Sequence, residues 1–132
     1  MSEFVAVKGM TLAIVEGNPT TVLGTIAITG SPSSINKNDN NGVYLDGTGV
    51  SVTAITSPDG EATIPDAGPV TGTINATIEN VKENGTLLLV NGDETGILNA
   101  IPKIPASPDP IDYPVTFKVR IINPNNNEVK AK

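Results

Sequence analysis

Two similar stretches decide the fold: INKNDNNGVYLDGTGVSV at residues 35–52 and VKENGTLLLVNGDETGIL at residues 81–98. Each contains a short apolar run, an Asp-Gly or Asn-Gly pair and a second β-prone run. Such pairs between β-prone runs are strong hairpin signals, because type I′ turns need a positive φ at both central residues. We therefore predict two structural turns. Their residues are Asp46, Gly47, Asn91 and Gly92.

The apolar run before each turn predicts the residues that bury the two hairpins. Aliphatic side chains stabilise a fold by roughly 1.5–3 kcal/mol each when they are fully enclosed. The chain has only four aromatic residues, so Val, Ile, Leu and Ala must supply most of its core. The predicted packing residues are Val43, Leu45, Leu87 and Leu89.

The similarity extends upstream, where GTIAIT at residues 24–29 matches GTINAT at residues 72–77. One such unit cannot bury its apolar face alone, whereas stacked copies can. We therefore expect a single β domain over residues 1–132 that contains an internal repeat. The predicted units are residues 21–55 and 70–100, with a possible partial third unit at 114–132.

The remaining composition favours an all-β protein. Thirteen Gly and eleven Pro argue against long helices, and no stretch keeps helical apolar spacing for three turns. Val115–Ile121 alternates apolar and polar residues, which is typical of a strand with one buried face. Between Pro102 and Pro114 the density of proline predicts an extended crossover or stiff loop.

The residue inventory excludes most chemistry. The chain has no His and no Cys, so a Ser-His-Asp triad, a thiolate nucleophile and a zinc site of nitrogen and sulfur ligands are impossible. A polar stretch at Asn36–Gly42 is rich in oxygen ligands but does not fit the EF-hand template. We therefore expect no enzyme activity, no cofactor and no dedicated metal site, although a loosely held surface cation stays open.

Charge and hydropathy bear on the partners. The net charge of −6 and the pI of about 4.4 repel phosphate backbones, so nucleic acid is not an expected partner. The first residues, MSEFVAVKGM, lack the basic and apolar regions of a secretory signal. No apolar run approaches the roughly 18 residues of a membrane span. We therefore expect no stable membrane anchor, and the absence of Cys is compatible with folding in a cytoplasm.

The string SSINK…GVYLDGTGVSV, together with KGMTL at residues 8–12 and NVK…LLVNGD at residues 80–93, resembles PAAR-like proteins. These proteins cap the central spike of contractile phage tails and related injection devices. The resemblance implies a structural protein of a virion or injection particle, located in the tail or baseplate and made in the bacterial cytoplasm. It also implies a trimeric spike protein as partner and a role in membrane puncture. Members that carry a metal use His and Cys near the tip, and this chain has neither.

An immunoglobulin-like β-sandwich is the alternative interpretation. Many short strands with Greek-key connections would give a similar pattern. Such a domain would serve as a decoration or binding module of a virion or cell surface. The repeat argues against it, because immunoglobulin-like domains are not built from two similar halves.

Overall fold

The structure is a computed structural model, and it describes residues 3–4, 6, 8–31, 36–38, 41–77, 82–83, 86–125 and 130–131. The described residues contain strands, turns and one 3-10 turn at Pro58–Gly60, with no α-helix among them. The predicted all-β class is therefore confirmed.

The described strands form a large sheet, three two-stranded hairpins and a separate pair of β1 with β15. In chain order they are β1 (Glu3–Phe4), β2 (Thr11–Asn18), β3 (Leu23–Ile28), β4 (Asn36–Asn38), β5 (Asn41–Gly42), β6 (Thr48–Thr56), β7 (Val70–Asn75), β8 (Lys82–Glu83), β9 (Thr86–Leu87), β10 (Glu94–Thr95), β11 (Leu98–Ala100), β12 (Lys103–Ile104), β13 (Ile111–Asp112), β14 (Val115–Asn123) and β15 (Lys130–Ala131).

The large sheet is antiparallel and nearly closes into a barrel. Its strand order is β3, β6, β7, then β10 with β11, then β14 and β2. β10 and β11 follow one another along the same edge of β14. The outer strands β2 and β3 line common cavities, so they face each other. An immunoglobulin-like sandwich needs two facing sheets, whereas the strands of this large sheet pair in one continuous order.

Alternation along the strands fills the barrel with aliphatic side chains. In β14 every second residue points inward and is buried, while the polar residues between them lie on the outer face. Phe117 is the largest fully enclosed side chain of the core. The buried residues of this strand are Val115, Phe117, Val119 and Ile121.

Strand β6 keeps its apolar face inward by means of a β-bulge. Its pairing with β3 shifts between Leu23 and Thr25, which pair with Thr56 and Thr53. The extra residue lies at this position, where Ala54 has a φ of 54°. A bulge of this kind moves the following residue back to the buried face. Ile55 is consequently fully buried although it breaks the alternation.

An ionic network joins β2, β14 and β10 on the outer face. The Arg120 guanidinium lies 2.6 Å from the Glu16 carboxylate and 2.9 Å from that of Glu94. The Lys118 ammonium lies 2.8 Å from Glu94. The hydrogen bond from Lys118, followed by the contacts with Arg120, holds the pKa of Glu94 below its ordinary value. Isolated surface pairs contribute little to stability, but this network links side chains of three neighbouring strands.

The Pro-rich segment connects β11 to β14, and within it β12 pairs with β13. A second long connection at residues 57–69 packs against it. Ile64 and Lys103 form an isolated bridge between the two connections. The Asp66 carboxylate accepts hydrogen bonds from the backbone amides of Gly68 and Ile101, at 3.0 and 2.7 Å. These contacts define the loop end of the barrel, formed by residues 57–69 and 101–114.

Three segments of the chain have the same order of elements. The first runs from β3 through the β4–β5 hairpin to β6, and the second from β7 through β8–β9 to β10 and β11. The third starts at β14 and continues to β15, which pairs with β1 and so leads on to β2. The first and last barrel strands of each segment pair antiparallel. The third unit therefore consists of two separate parts of the sequence.

Candidate functional site

The residues predicted to pack the hairpins lie at one end of the barrel, which we call the hairpin end. Val43 and Leu89 are fully buried there, and Leu45 and Leu87 are half-buried. Strand β5 ends immediately before Val43 and β9 ends at Leu87, so two hairpins are joined directly to this layer. We call the residues that follow the two hairpins, 43–45 and 87–90, the apolar layer; Leu89 within it belongs to the core cluster of the barrel.

The two predicted segments are brought into contact. Leu45 and Leu88 form an antiparallel bridge. The amide of Asp46 also donates a hydrogen bond to the carbonyl of Leu87, at 2.8 Å. The apolar runs before the two turns are therefore neighbours in space, although each turn leads into a different barrel strand.

A ring of three backbone hydrogen bonds lies at the centre of this layer. The Ala6 amide donates to Leu89 at 2.8 Å, the Leu89 amide donates to Tyr44 at 3.0 Å, and the Tyr44 amide donates to Ala6 at 3.0 Å. All three residues are buried. Each also stands three positions before a glycine of positive φ. We call this arrangement the amide ring, and its pattern is that of a pseudo-threefold axis.

The glycine turns carry the chain from the amide ring to the barrel. Gly9, Gly47 and Gly92 have φ values of 92°, 87° and 91°. Leu45 and Val90 accept the turn-closing hydrogen bonds of the second and third turns, each at 3.1 Å.

The predicted type I′ geometry of these turns is wrong. Among the described residues, Asp46 and Asn91 do not have a positive φ, so only the second central residue is left-handed. That pattern is typical of a type II turn. A type I′ turn would pair the two flanking segments with each other. Here the segment before each turn contains a residue of the amide ring, and the segment after it becomes a barrel strand.

Two carboxylates hold the segment that leaves β7. The Asp46 carboxylate accepts a hydrogen bond from the Ala76 amide at 2.7 Å. The Asp93 carboxylate accepts from the Thr77 hydroxyl at 2.6 Å and from the Val90 amide at 2.9 Å. Asp93 is buried, and this desolvation raises its pKa despite the two hydrogen bonds. These contacts give both carboxylates a structural role.

No three acidic side chains lie together as a metal site would require, at the hairpin end or elsewhere in the part of the chain that the structure describes. The enclosed side-chain oxygen of Asn91 has no hydrogen-bond partner among the described residues. The hairpin end therefore has three similar corners, each formed by one residue of the amide ring, the glycine turn after it and the start of the next barrel strand. Together the corners can provide a contact surface.

The corner formed by Ala6 and the turn at Gly9 was not predicted from the sequence. Ala6 and Tyr44 are central to the amide ring, and Lys8-Gly9 forms the first of the three glycine turns. The signal was an apolar residue three positions before each glycine, in AVKG, YLDG and LVNG. Lys8 occupies the position that Asp46 and Asn91 have in the other two turns, so the first turn lacks the Asp or Asn that is typical of turns.

We predict that Gly92→Ala lowers the free energy of unfolding by about 1–2 kcal/mol, because a Cβ disfavours the left-handed region. The matched control is Gly96→Ala. A Cβ at either position would have no described atom within 4 Å, and only Gly92 has a positive φ. Urea unfolding followed by circular dichroism measures both variants. Equal losses in the two variants would contradict the role of the turn.

We predict that the stability of Asp93→Asn, relative to the unsubstituted protein, improves as the pH rises from about 3 to about 7. Burial raises the pKa of Asp93, so the folded state binds the proton more tightly than the unfolded state. That contribution to stability is complete at acid pH and is lost as the pH rises through the folded pKa. Asn cannot ionise and does not show this loss.

Urea unfolding at a series of pH values measures the dependence. Thr77→Val serves as a second variant, because it removes a hydrogen bond that favours the ionised carboxylate. The dependence should be steeper in Thr77→Val than in the unsubstituted protein. A difference between Asp93→Asn and the unsubstituted protein that stays constant with pH would refute the assignment.

The described residues contain no helix that is long and apolar enough to span a membrane. Comparisons with protein-family models, with curated proteins and with solved structures found no match for this chain.

Proposed function

We propose that this protein is a structural, non-enzymatic component of a phage tail or contractile injection particle, a PAAR-like cap on the central spike. The observation that carries the proposal is the amide ring of Ala6, Tyr44 and Leu89, with three similar corners around it. A trimeric spike ends in a threefold axis, and a single chain with pseudo-threefold geometry can offer each subunit a similar surface.

The hairpin end is the better candidate for this contact. Its three corners have the same order of apolar residue, glycine turn and barrel strand. The connections at the loop end differ: residues 19–22 form a short link, whereas residues 57–69 and 101–114 are long. A threefold partner would meet three unlike connections there. We therefore assign the loop end to the side that faces away from the spike.

The construction of the barrel suits a mechanical role. Antiparallel ladders join neighbouring strands around most of the sheet, and buried aliphatic side chains fill its interior. At the loop end, Asp66 ties the two long connections together. In this role the protein would resist local unfolding as the particle punctures a membrane. Contact with the spike would add stability, because a partner that binds only the folded state favours folding.

The test is co-expression with the trimeric spike protein encoded in the same genome, followed by native mass spectrometry. We predict one copy of this chain for each spike trimer, since one pseudo-threefold end covers one threefold end. Three copies for each trimer, or no complex with that spike protein, would contradict the proposal.

Amine labelling of the same complex tests which end makes the contact. Lys8 lies in a turn of the hairpin end, and Lys103 lies at the loop end; both are exposed. Acylation of Lys8 should fall in the complex while acylation of Lys103 stays unchanged. The reverse pattern would show that the loop end faces the spike.

A further inference from the structure

The barrel is closed by backbone ladders at two of its three unit junctions. Strands β6 and β7 pair from Thr48 and Ile74 to Val52 and Val70. Strands β10 and β11 pair with β14. At the third junction no ladder joins β2 to β3 among the described residues. We call the groove between β2 and β3 the seam.

The missing contacts can be named from the other two junctions. The Gly47 amide donates to the Ile74 carbonyl at 2.8 Å, and the Gly92 amide donates to the Ile121 carbonyl at 2.9 Å. The equivalent bond at the seam would join Gly9 to Ile28, because Ile28, Ile74 and Ile121 each pair with the third residue after the glycine turn of their own unit. The ladders thus shift the alignment of the first two units by two residues from the sequence match. Both residues are described, and no such bond is present between them. The seam is thus the one place where the described barrel departs from its own pattern of pairing.

The seam is lined mainly by aliphatic side chains. A cavity of about 260 Å³ extends from Met10 to Ile28. A second cavity, of about 230 Å³, continues toward Leu23, and the two share Leu12 and Ile26. Together they follow the length of both strands. An elongated groove between two strand edges has the shape of an extended polypeptide.

The distribution of charge limits which polypeptides can bind the seam. Thr11–Ile14 and Thr25–Ile28 contain no charged residue and no proline. Proteins usually protect a free strand edge with such residues. A charged side chain entering this groove would lose its hydration without gaining a partner. The net charge of −6 over the whole chain favours an occupant with a positive charge.

We propose that the seam binds one extended strand of another polypeptide, with apolar residues facing the groove and basic residues facing outward. Its main chain would bond the free edges of β2 and β3, and its apolar side chains would contact Leu12 and Ile26. This is strand addition, in which main-chain bonds supply affinity and alternate side chains supply specificity. The proposal does not depend on the spike assignment.

The chain itself supplies a suitable probe, a synthetic peptide with the sequence of Val115–Asn123, VTFKVRIIN. Within the fold this strand pairs with β10 and β11, whose position in their unit corresponds to that of β2. It therefore already complements the type of edge that the seam exposes. Its basic residues, Lys118 and Arg120, alternate with apolar ones. A peptide of the same composition without the alternation is the control.

The experiment uses the full chain and a dye-labelled peptide, with fluorescence anisotropy to measure binding. Hydrogen exchange followed by NMR then locates the contact. We expect saturable binding of the alternating peptide, at least tenfold tighter than that of the control peptide. The amides that point into the seam, those of Leu12, Ile14, Ile26 and Ile28, should exchange at least tenfold more slowly in the complex, whereas the amides of Ala13 and Ala27 already face β14 and β6.

Variants test the lining of the groove. Ile26→Glu should weaken binding at least tenfold, because it places a charge in the seam. Ile97→Glu is the matched control, since Ile97 is 66% exposed and does not line either cavity of the seam. Melting temperatures confirm that each variant is folded. If Ile26→Glu does not fold, hydrogen exchange on the unsubstituted protein decides the question alone.

Absence of saturable binding would overturn the proposal. Equal affinity for the alternating and control peptides would overturn it as well, because binding would then not depend on the alternation of apolar and polar side chains in an extended strand. Binding that leaves the exchange of both strands unchanged would place the peptide elsewhere and would have the same consequence. Co-purification with a spike trimer is a separate result, so failure of one proposal does not entail failure of the other.

Discussion

The rest of the structure depends on the amide ring of Ala6, Tyr44 and Leu89. Buried backbone groups must be paired, and here each of three segments satisfies its amide on the carbonyl of the next. The ring thereby joins parts of the chain that are far apart in sequence. Each ring residue leads to a glycine turn, and each turn starts a barrel strand. One local constraint thus positions the hairpins on one side and the barrel on the other.

The ring does not impose its symmetry on the whole barrel. At the seam even the bond nearest the ring, from Gly9 to Ile28, is absent, and the units also differ at the far ends of their strands. There, long connections at residues 57–69 and 101–114 pack against each other, while residues 19–22 form only a short link. The seam opens between the two strands that this short link joins. The proposed contact surface for a threefold partner and the proposed groove for a single strand thus lie in different parts of one small barrel.

Local sequence features predict the strand class, because alternation in Val115–Ile121 and the density of Gly and Pro are properties of neighbouring residues. Asp46-Gly47 and Asn91-Gly92 are likewise recognisable as turns. The type of turn was not predictable, since it depends on whether each flanking segment contacts the amide ring or joins the barrel sheet. Ala6 escaped notice because its partners, Tyr44 and Leu89, are distant in sequence. The seam reflects pairing between strands, which no single stretch encodes.

Scalar couplings across hydrogen bonds, measured by NMR, test the amide ring most directly. At 13.6 kDa the protein is suited to this experiment. The account predicts couplings from the Ala6 nitrogen to the Leu89 carbonyl carbon, from Leu89 to Tyr44, and from Tyr44 to Ala6. Couplings that are seen along the β3–β6 ladder but absent from all three ring pairs would contradict it.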